Sequence, residues 1–285
     1  MSKARSAERS RIVINADDLG FAPGVNRGIL ECHLAGTLSS ASIMVTAPAF
    51  HEAVALVHER MPNLGVGLHF NLLTGKPLAV VPSLTDPATG EFLSLGKLAA
   101  RAMTGRVSAA DVRRECDAQL AALAKTRIAI THLDSHRHTH ALPGILAPVL
   151  ASVRAARVKV VRRPVDVPNP REPMTAVKMF VLRTSWDAAS ASLGDDDREL
   201  IARSPAFRGI ALQGQADVKQ RLLALLDEVR GGTEIMLHPG YDDAVLAAQD
   251  PYRTEREREV LALTSVEVKE RVRRGDIKLV RFDQR

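Results

Sequence analysis

Four short stretches of this chain end in side chains that bind metals or transfer protons, and three of them follow an apolar run typical of a strand. They are residues 14–18, 67–69, 132–138 and 236–240. Apolar runs that alternate with helical periodicity predict an α/β fold with a parallel sheet, either a barrel or a doubly wound layer. Carboxylates and imidazoles gathered at strand ends are how α/β enzymes build metal-dependent hydrolytic sites.

Length and composition indicate one globular domain. The 285 residues suffice for one large core, and contents of 46% hydrophobic and 25% charged residues are average. We expect a flexible basic tail at residues 1–10 and a single catalytic domain over residues 11–285, with loop insertions near 74–96 and 164–215. No apolar window approaches the roughly 18 residues of a membrane span, and the N-terminus lacks the apolar core of a secretory signal.

The cysteines and the net charge indicate which compartment and which partners to expect. Cys32 and Cys116 fall in separate helical patterns, so we expect no disulfide and a reducing, cytoplasmic compartment. The formal charge of +6 comes partly from helix surfaces such as Arg271 and Arg273, and basic runs of this kind usually lie on solvated faces. Because no motif with interleaved aromatic residues accompanies them, we expect no nucleic-acid partner.

Periodicity places the other elements. Strands are expected at residues 11–15, 40–46, 64–70, 128–134, 158–161 and 233–237. We expect a helix over 109–124 with Ser108 at its start, and one charged helix over 255–274. Residues 174–182 are apolar and fit either a helix or a strand. Residues 74–96 lose periodicity, and a loop this long in a compact domain is typically a lid or a binding loop.

Two adjacent carboxylates, Asp17 and Asp18, follow the first predicted strand. Neighbours on a regular strand point to opposite faces, so two neighbours that serve one site imply that the strand ends and twists there. One carboxylate would then hold a cation while the other accepts a proton from water. The alternative is an acidic pair that opens a turn, where aspartate is a favoured residue.

Single polar residues follow three other predicted strands. His69 on its own fits a buried structural histidine, while Asn71 would share its face and contact substrate if the strand continues. His238 either ends a strand at a turn or acts as a general acid, since the pKa of imidazole lies near neutrality. Arg162 fits either a surface position or a partner that orients an Asp base.

The densest stretch carries five metal-binding side chains at alternate positions, namely His132, Asp134, His136, His138 and His140. In an extended conformation all five would project to one side. So many imidazoles on one face have no packing rationale, and a metal site is the economical explanation, with Asp134 able to orient an imidazole. Three ligands plus a water is the open arrangement of a catalytic divalent ion. Not all five can reach one ion, because the strand is expected to end near Ser135.

Five motifs occur in order along the chain, namely NADDLG at 15–20, GLH at 67–69, THLDSHRH at 131–138, RRP at 162–164 and LHPG at 237–240. Together they resemble the motifs of the YdjC/ChbG family of carbohydrate deacetylases. Members of that family include chitooligosaccharide deacetylases and a hopanoid-biosynthesis-associated subgroup that acts on a glycolipid sugar. The resemblance extends from near the N-terminus to Gly240.

The resemblance implies a distorted (β/α) barrel related to the polysaccharide deacetylases. It also implies one divalent metal ion. We expect zinc or magnesium, and nickel or cobalt are alternatives. By position, the implied roles are metal ligands Asp18, His69 and His136, base Asp17, orienting partner Arg162 and acid His238. We also expect Asn71, Asp134, His138 and Tyr241 to contact substrate. His138 fits the spacing of the third metal ligand as well as His136 does.

The expected reaction is removal of the N-acetyl group from an N-acetylated amino sugar, either a chitooligosaccharide or a glycolipid head group. Aromatic residues make up only 4% of the chain, which favours a short or amphiphilic substrate, with residues 174–182 against a lipid portion. The resemblance also favours a homodimer. The alternatives are another metal-dependent hydrolase such as a phosphoesterase, which commonly bridges two ions, or a carbohydrate-binding relative without turnover.

Overall fold

A parallel sheet forms the centre of the molecule. The computed structural model describes residues 10–167 and 173–284, and the predicted tail lies outside them apart from Ser10. The strands are β1 (Ser10–Leu19), β2 (Ser40–Ile43), β3 (Gly65–Phe70), β4 (Ile130–Ser135), β5 (Ala206–Arg208), β6 (Thr233–Leu237) and β7 (Ile277–Leu279). Over the described ranges their order is β4-β3-β2-β1-β6-β5, with β7 paired to the start of β1.

Helices separate the strands and cover the sheet. They are α1 (Pro23–Leu34), α2 (Phe50–Arg60), α3 (Leu95–Met103), α4 (Ala109–Lys125), α5 (Leu146–Ala155), α6 (Pro173–Ser190), α7 (Asp195–Ala202), α8 (Val218–Glu228), α9 (Ala244–Ala247), α10 (Thr254–Thr264) and α11 (Val266–Arg273). Short 3-10 helices lie at His136–Ala141, directly after β4, and at Phe282–Gln284, after β7. Every strand pair in the sheet is parallel, which confirms the predicted fold class.

Local signals explain where several helices begin. Helix α4 starts as predicted, because the Ser108 side chain accepts a hydrogen bond from the Asp111 N–H at 3.3 Å. The ambiguous residues 174–182 are helical and belong to α6. The prediction of one helix over 255–274 is wrong. Ser265 adopts extended backbone after α10, and its side chain accepts from the Val268 N–H to begin α11.

The sheet curves into a half-barrel. Val161 extends it beyond β4 through a parallel bridge to Leu133. At the opposite edge Ser204 precedes β5, and its hydroxyl donates a hydrogen bond to the carbonyl of Val161. The two edges of the sheet therefore approach each other, and helices pack around the outside. This is the distorted barrel that the motifs imply.

The inward side chains of β1 change from apolar to polar along the strand. Side chains alternate between the two faces of a strand, and on β1 the inward residues are Val13, Asn15 and Asp17. Val13 packs with Val160 and Phe282 at the amino end of the strands. The Asn15 amide donates to Asp17 Oδ1 at 2.8 Å, one level higher. On β1 the polar residues therefore lie toward the carboxyl end, whereas Glu234, which pairs with Val13, is a buried polar residue near the start of β6.

A β-bulge at the end of β1 turns both aspartates toward the same site. Ala16 pairs with Ala41 and Leu19 with Ile43, so three steps on β1 oppose two on β2. Asp18 lies in the bulge and has a φ of 70°. This is a left-handed conformation that aspartate tolerates better than most residues. The twist predicted from two adjacent acidic residues is thus a bulge within the strand.

We expect Gly28→Ala to destabilise the fold. Gly28 lies on α1 where the helix crosses the loop after β6, and an added Cβ would lie 2.7 Å from Gly240 Cα and 2.8 Å from Gly240 N. Overpacking against backbone typically costs about 1–3 kcal/mol, which chemical denaturation would detect. Gly96→Ala is the matched control, because a Cβ added to Gly96 in α3 would have nothing within 4 Å. Stability of the control should stay equal or rise by up to about 1 kcal/mol.

Candidate metal centre and active site

Three buried side chains from separate strands meet at the carboxyl edge of the sheet. Asp18 Oδ1, from the bulge of β1, lies 3.1 Å from His69 Nε2 at the end of β3. The same oxygen lies 2.9 Å from His136 Nδ1, in the turn after β4. One donor atom from each residue lies within 4.8 Å of the other two. This geometry allows all three to bind one ion.

The hydrogen bonds of His69 favour a cation at this position. Its Nδ1 lies 2.7 Å from Asp134 Oδ1, so the proton of a neutral ring is on Nδ1. The lone pair of Nε2 then faces the Asp18 carboxylate, and two acceptors in contact repel unless a proton or a metal ion lies between them. Burial opposes a charged ring, yet the Asp134 carboxylate raises the pKa of His69 to about 10 in the metal-free protein. One carboxylate and two imidazoles suit zinc, nickel or cobalt, and magnesium less well.

The strand that carries the start of the histidine run ends near Ser135, as expected. Strand β4 ends at Ser135, and Arg137 and His138 adopt left-handed backbone. His136 therefore turns toward Asp18, whereas the ring of His138 lies edge-on to Phe207 with centroids 5.6 Å apart. Because of this turn, the five side chains do not project to one side as they would in an extended run.

The outermost histidines of the run have structural contacts. His132 stacks on Phe282 with ring centroids 3.9 Å apart, and it lies so close to Gly67 that a Cβ there would be 2.4 Å from the ring. His140 lies 2.5 Å from the Ser135 hydroxyl and 2.9 Å from the Arg162 carbonyl. Both rings are buried away from the Asp18 carboxylate.

Asp17 lies beside the three candidate ligands and is held by Arg162. The guanidinium contacts both carboxylate oxygens, at 2.6 and 2.7 Å. Burial would raise the pKa of Asp17, but Arg162 outweighs it and holds the pKa well below its usual range. Arg162 also contacts Asp134 Oδ2 at 2.7 Å and Glu234 Oε1 at 2.7 Å. The fully buried guanidinium therefore orients both Asp17 and the carboxylate that orients His69.

His238 faces Asp17 from the end of β6. Its Nε2 lies 3.9 Å from Asp17 Oδ2, and its ring lies 3.3 Å from the side-chain amide nitrogen of Gln213. The Gln213 carbonyl oxygen accepts a hydrogen bond from Lys178, which turns the amide nitrogen toward the imidazole. Burial lowers the pKa of His238 to about 4 despite the nearby aspartates. The ring is therefore neutral at neutral pH in the metal-free protein.

A cavity of about 710 Å³ opens above these residues. Asp17, Asp18, His136, His138 and His238 reach its base. Apolar groups from three separate segments form much of its wall, namely Leu95, Val181, Leu182, Pro251 and Tyr252. The cavity provides room for a sugar-sized ligand next to the candidate ligands.

Of the residues predicted to contact substrate, only His138 lines this cavity. Asn71 is fully buried, and its amide donates to Thr46 and Thr74 within a loop. The Tyr241 hydroxyl donates to Glu31 at 2.6 Å, outside the cavity. Asp134 contacts His69 and Arg162 and does not line the cavity. Contact between substrate and any of these residues stays a prediction.

Two buried residues at the site were missed in the sequence. Arg256 contacts Asp18 Oδ2 at 2.7 Å, and Asp250 contacts Arg256 at 2.9 Å. A signal existed for Arg256, because it lies three and four residues before Glu259 and Val260 on the buried face of α10. A basic residue on an inward helical stripe indicates a buried acidic partner.

Comparison with known proteins identifies a family that matches most of the chain. The family model described as "YdjC-like protein" matches residues 11–274. The chain belongs to the YdjC-like family. The resemblance found in its motifs is thereby confirmed.

Relatives of this YdjC-like protein match it over most of their length. The carbohydrate deacetylase of Geobacillus stearothermophilus is 35% identical over 254 residues, covering 88% of each chain. That of Homo sapiens is 32% identical over 250 residues, covering 83% of this chain and 76% of the relative. A solved structure from Enterococcus faecalis, described as a candidate cellobiose-phosphate cleavage protein, aligns with a TM-score of 0.77 at 28% identity. It covers 97% of this chain and 99% of that chain.

The helices of this YdjC-like protein give no indication of a membrane span. Across residues 10–167 and 173–284, none is both long and apolar enough to cross a bilayer.

Single substitutions distinguish the two candidate third ligands. We expect His136→Ala to lose bound metal, because its Nδ1 faces the Asp18 carboxylate, and His138→Ala to retain it. Metal content per chain after dialysis, measured by inductively coupled plasma mass spectrometry, gives the answer. Full metal content in His136→Ala, or its loss in His138→Ala, would contradict the assignment.

Proposed function

We propose that this chain is a metal-dependent carbohydrate deacetylase that removes the acetyl group from an N-acetylated amino sugar. Asp18, His69 and His136 would hold the ion. The observation that carries the proposal is the pair Asp17 and His238, which faces the cavity beside the three ligands. A protein that only stores metal or binds sugar has no need of two proton-transfer groups in contact with its ligand set.

The reaction requires one proton to move from water to nitrogen. A divalent cation, when bound, supplies Lewis-acid polarisation of the amide carbonyl and lowers the pKa of water. Asp17 accepts a proton as the water oxygen attacks the acetyl carbon, and Arg162 keeps that carboxylate ionised and oriented beforehand. When the C–N bond breaks, nitrogen must gain a proton, and His238 delivers it. Acetate and a free amino sugar result.

The pKa of His238 adds a step to this sequence. Because the resting ring is neutral, His238 must gain a proton before it can act as an acid. Asp17 Oδ2 lies 3.9 Å from His238 Nε2, close enough for the proton taken from water to pass to the ring after a small movement. The base and acid would thus share one proton within each turnover.

A two-ion phosphoesterase is disfavoured by the same contacts. A second group that could hold an ion consists of Asp17, His69 and Asp134. His69 is common to both groups, and Arg162 contacts both of these aspartates. The described residues therefore offer free ligands for one ion, and we expect one divalent ion per chain.

An apolar ridge on α6 favours an amphiphilic substrate. Val177, Phe180 and Val181 are 62%, 69% and 58% exposed, and helical spacing places them along one side of the helix. Val181 also lines the cavity, so the ridge continues from the candidate site into solvent. A glycolipid whose N-acetylated head group occupies the cavity would bury this ridge. A chitooligosaccharide would leave it exposed.

Acetate release tests the reaction. We expect release from N-acetylated amino sugars that stops with chelator and returns with added metal. Asp17→Asn and His238→Ala should each lower kcat by about 10²- to 10⁴-fold while keeping bound metal. His51→Ala, an exposed histidine on α2, is the control and should retain full activity. Phosphate-ester hydrolysis without acetate release, or sugar binding without turnover, would contradict the proposal.

Substrate comparison tests the ridge. We expect Phe180→Ser to raise KM severalfold for a glycolipid with an N-acetylglucosamine head group, because the lipid loses apolar contact. KM for short chitooligosaccharides should be unchanged. Leu261→Ser provides a control, since Leu261 is 61% exposed on α10. Equal effects of Phe180→Ser on both substrates would remove the reason for proposing an amphiphile.

A further inference from the structure

The candidate ligand Asp18 is held on its outer side by buried charges from the C-terminal part of the chain. Arg256 Nη2 donates to Asp18 Oδ2 at 2.7 Å and to Asp250 Oδ2 at 2.9 Å. Arg256 Nε donates to the Tyr252 carbonyl at 2.9 Å. Arg256 is 1% exposed and Asp250 is 6% exposed. A guanidinium fixed by three acceptors has little freedom to move.

Asp250 also extends this network toward a second candidate ligand. Its Oδ1 lies 3.3 Å from Arg137 Nη2 and accepts from the Tyr252 N–H at 3.0 Å. Arg137 follows His136 directly and is left-handed at φ of 51°. Asp250 therefore contacts both Arg137, in the backbone turn that carries His136, and Arg256, whose guanidinium holds Asp18.

We propose that Arg256 and Asp250 are positioning residues for the metal centre, which hold Asp18 so that it offers a single oxygen. Arg256 occupies Oδ2, and only Oδ1 faces His69 and His136. The carboxylate plane is thus fixed before any ion arrives. Partners that orient ligands in this way typically contribute 10- to 100-fold to metal affinity or activity.

Charge determines which substitutions test this idea. A neutral residue in place of Arg256 would mix two opposite effects on metal binding. Loss of the positive charge would strengthen the attraction between Asp18 and a cation, whereas loss of the hydrogen bonds would leave Asp18 less well oriented. Arg256→Lys keeps the charge but cannot reach the three acceptors at once. Asp250→Asn removes one of the two carboxylates that Arg256 contacts, which leaves more positive charge beside Asp18, and it weakens the contact with Arg137. Both effects of Asp250→Asn oppose metal binding.

The measurement is the affinity for Zn²⁺ alone, by competition with a chromophoric chelator, on the full chain without substrate. We expect Arg256→Lys and Asp250→Asn each to raise the dissociation constant by about 10- to 100-fold. The visible spectrum of the Co²⁺-loaded protein should also change, since it reports coordination number and geometry. The double variant should lose much less than the product of the single losses, because both residues act through one contact network.

Matched controls separate positioning from general charge effects. Arg258→Lys alters an exposed residue on the same helix, and Asp242→Asn alters an exposed acidic residue in the segment before α9. Both should bind Zn²⁺ as the parent chain does. Thermal unfolding of the metal-free variants shows whether each still folds.

Unchanged Zn²⁺ affinity and an unchanged Co²⁺ spectrum in both test variants would overturn the inference. Affinity losses in the controls equal to those in the test variants would overturn it as well. The inference rests on the proposed metal centre but not on the reaction. A chain that binds Zn²⁺ yet releases no acetate would refute the deacetylase proposal and leave this test intact.

Discussion

The buried guanidinium of Arg162 is the interaction on which the arrangement of the site depends. It contacts Asp17, Asp134 and Glu234, and all four side chains are buried. Burial raises the pKa of Glu234 to about 7 even beside Arg162, so this carboxyl is more readily protonated than an exposed glutamate. Removing the arginine would take the guanidinium away from three buried carboxylates, which typically costs about 3–5 kcal/mol.

Arg162 therefore supports two proposed functions, proton transfer and metal binding, whose residues lie in separate motifs of the sequence. Arg162 orients Asp17, the proposed base, and it also contacts Asp134, which fixes the ring of His69. The same side chain thus fixes the position of the proposed proton-transfer group relative to that of a proposed metal ligand. Arg256 has the corresponding place on the other side of Asp18, so each of the adjacent aspartates has its own buried arginine. The β-bulge of β1 is what allows these neighbours to face the same site from different sides.

Much of the fold and of the site was predictable, for reasons that particular residues show. Apolar strands such as β1 and β6 have strong periodicity, and the polar residues that follow them lie at one edge because the strands are parallel. The turn after Ser135 was not predictable in shape, since alternate spacing is equally compatible with a continued strand. Asn71 and Tyr241 were expected to contact substrate, which stays a prediction, and their contacts with Thr46 and Glu31 lie outside the cavity. Such long-range contacts leave no periodic trace in the sequence.

The central claim is that one divalent cation is bound by Asp18, His69 and His136. Anomalous diffraction at the zinc edge, from crystals of the full chain grown with Zn²⁺, tests it most directly. The account predicts a single strong peak about 2.0–2.2 Å from Asp18 Oδ1, His69 Nε2 and His136 Nδ1. A peak bound by His138 in place of His136, or a peak remote from Asp18, would contradict it.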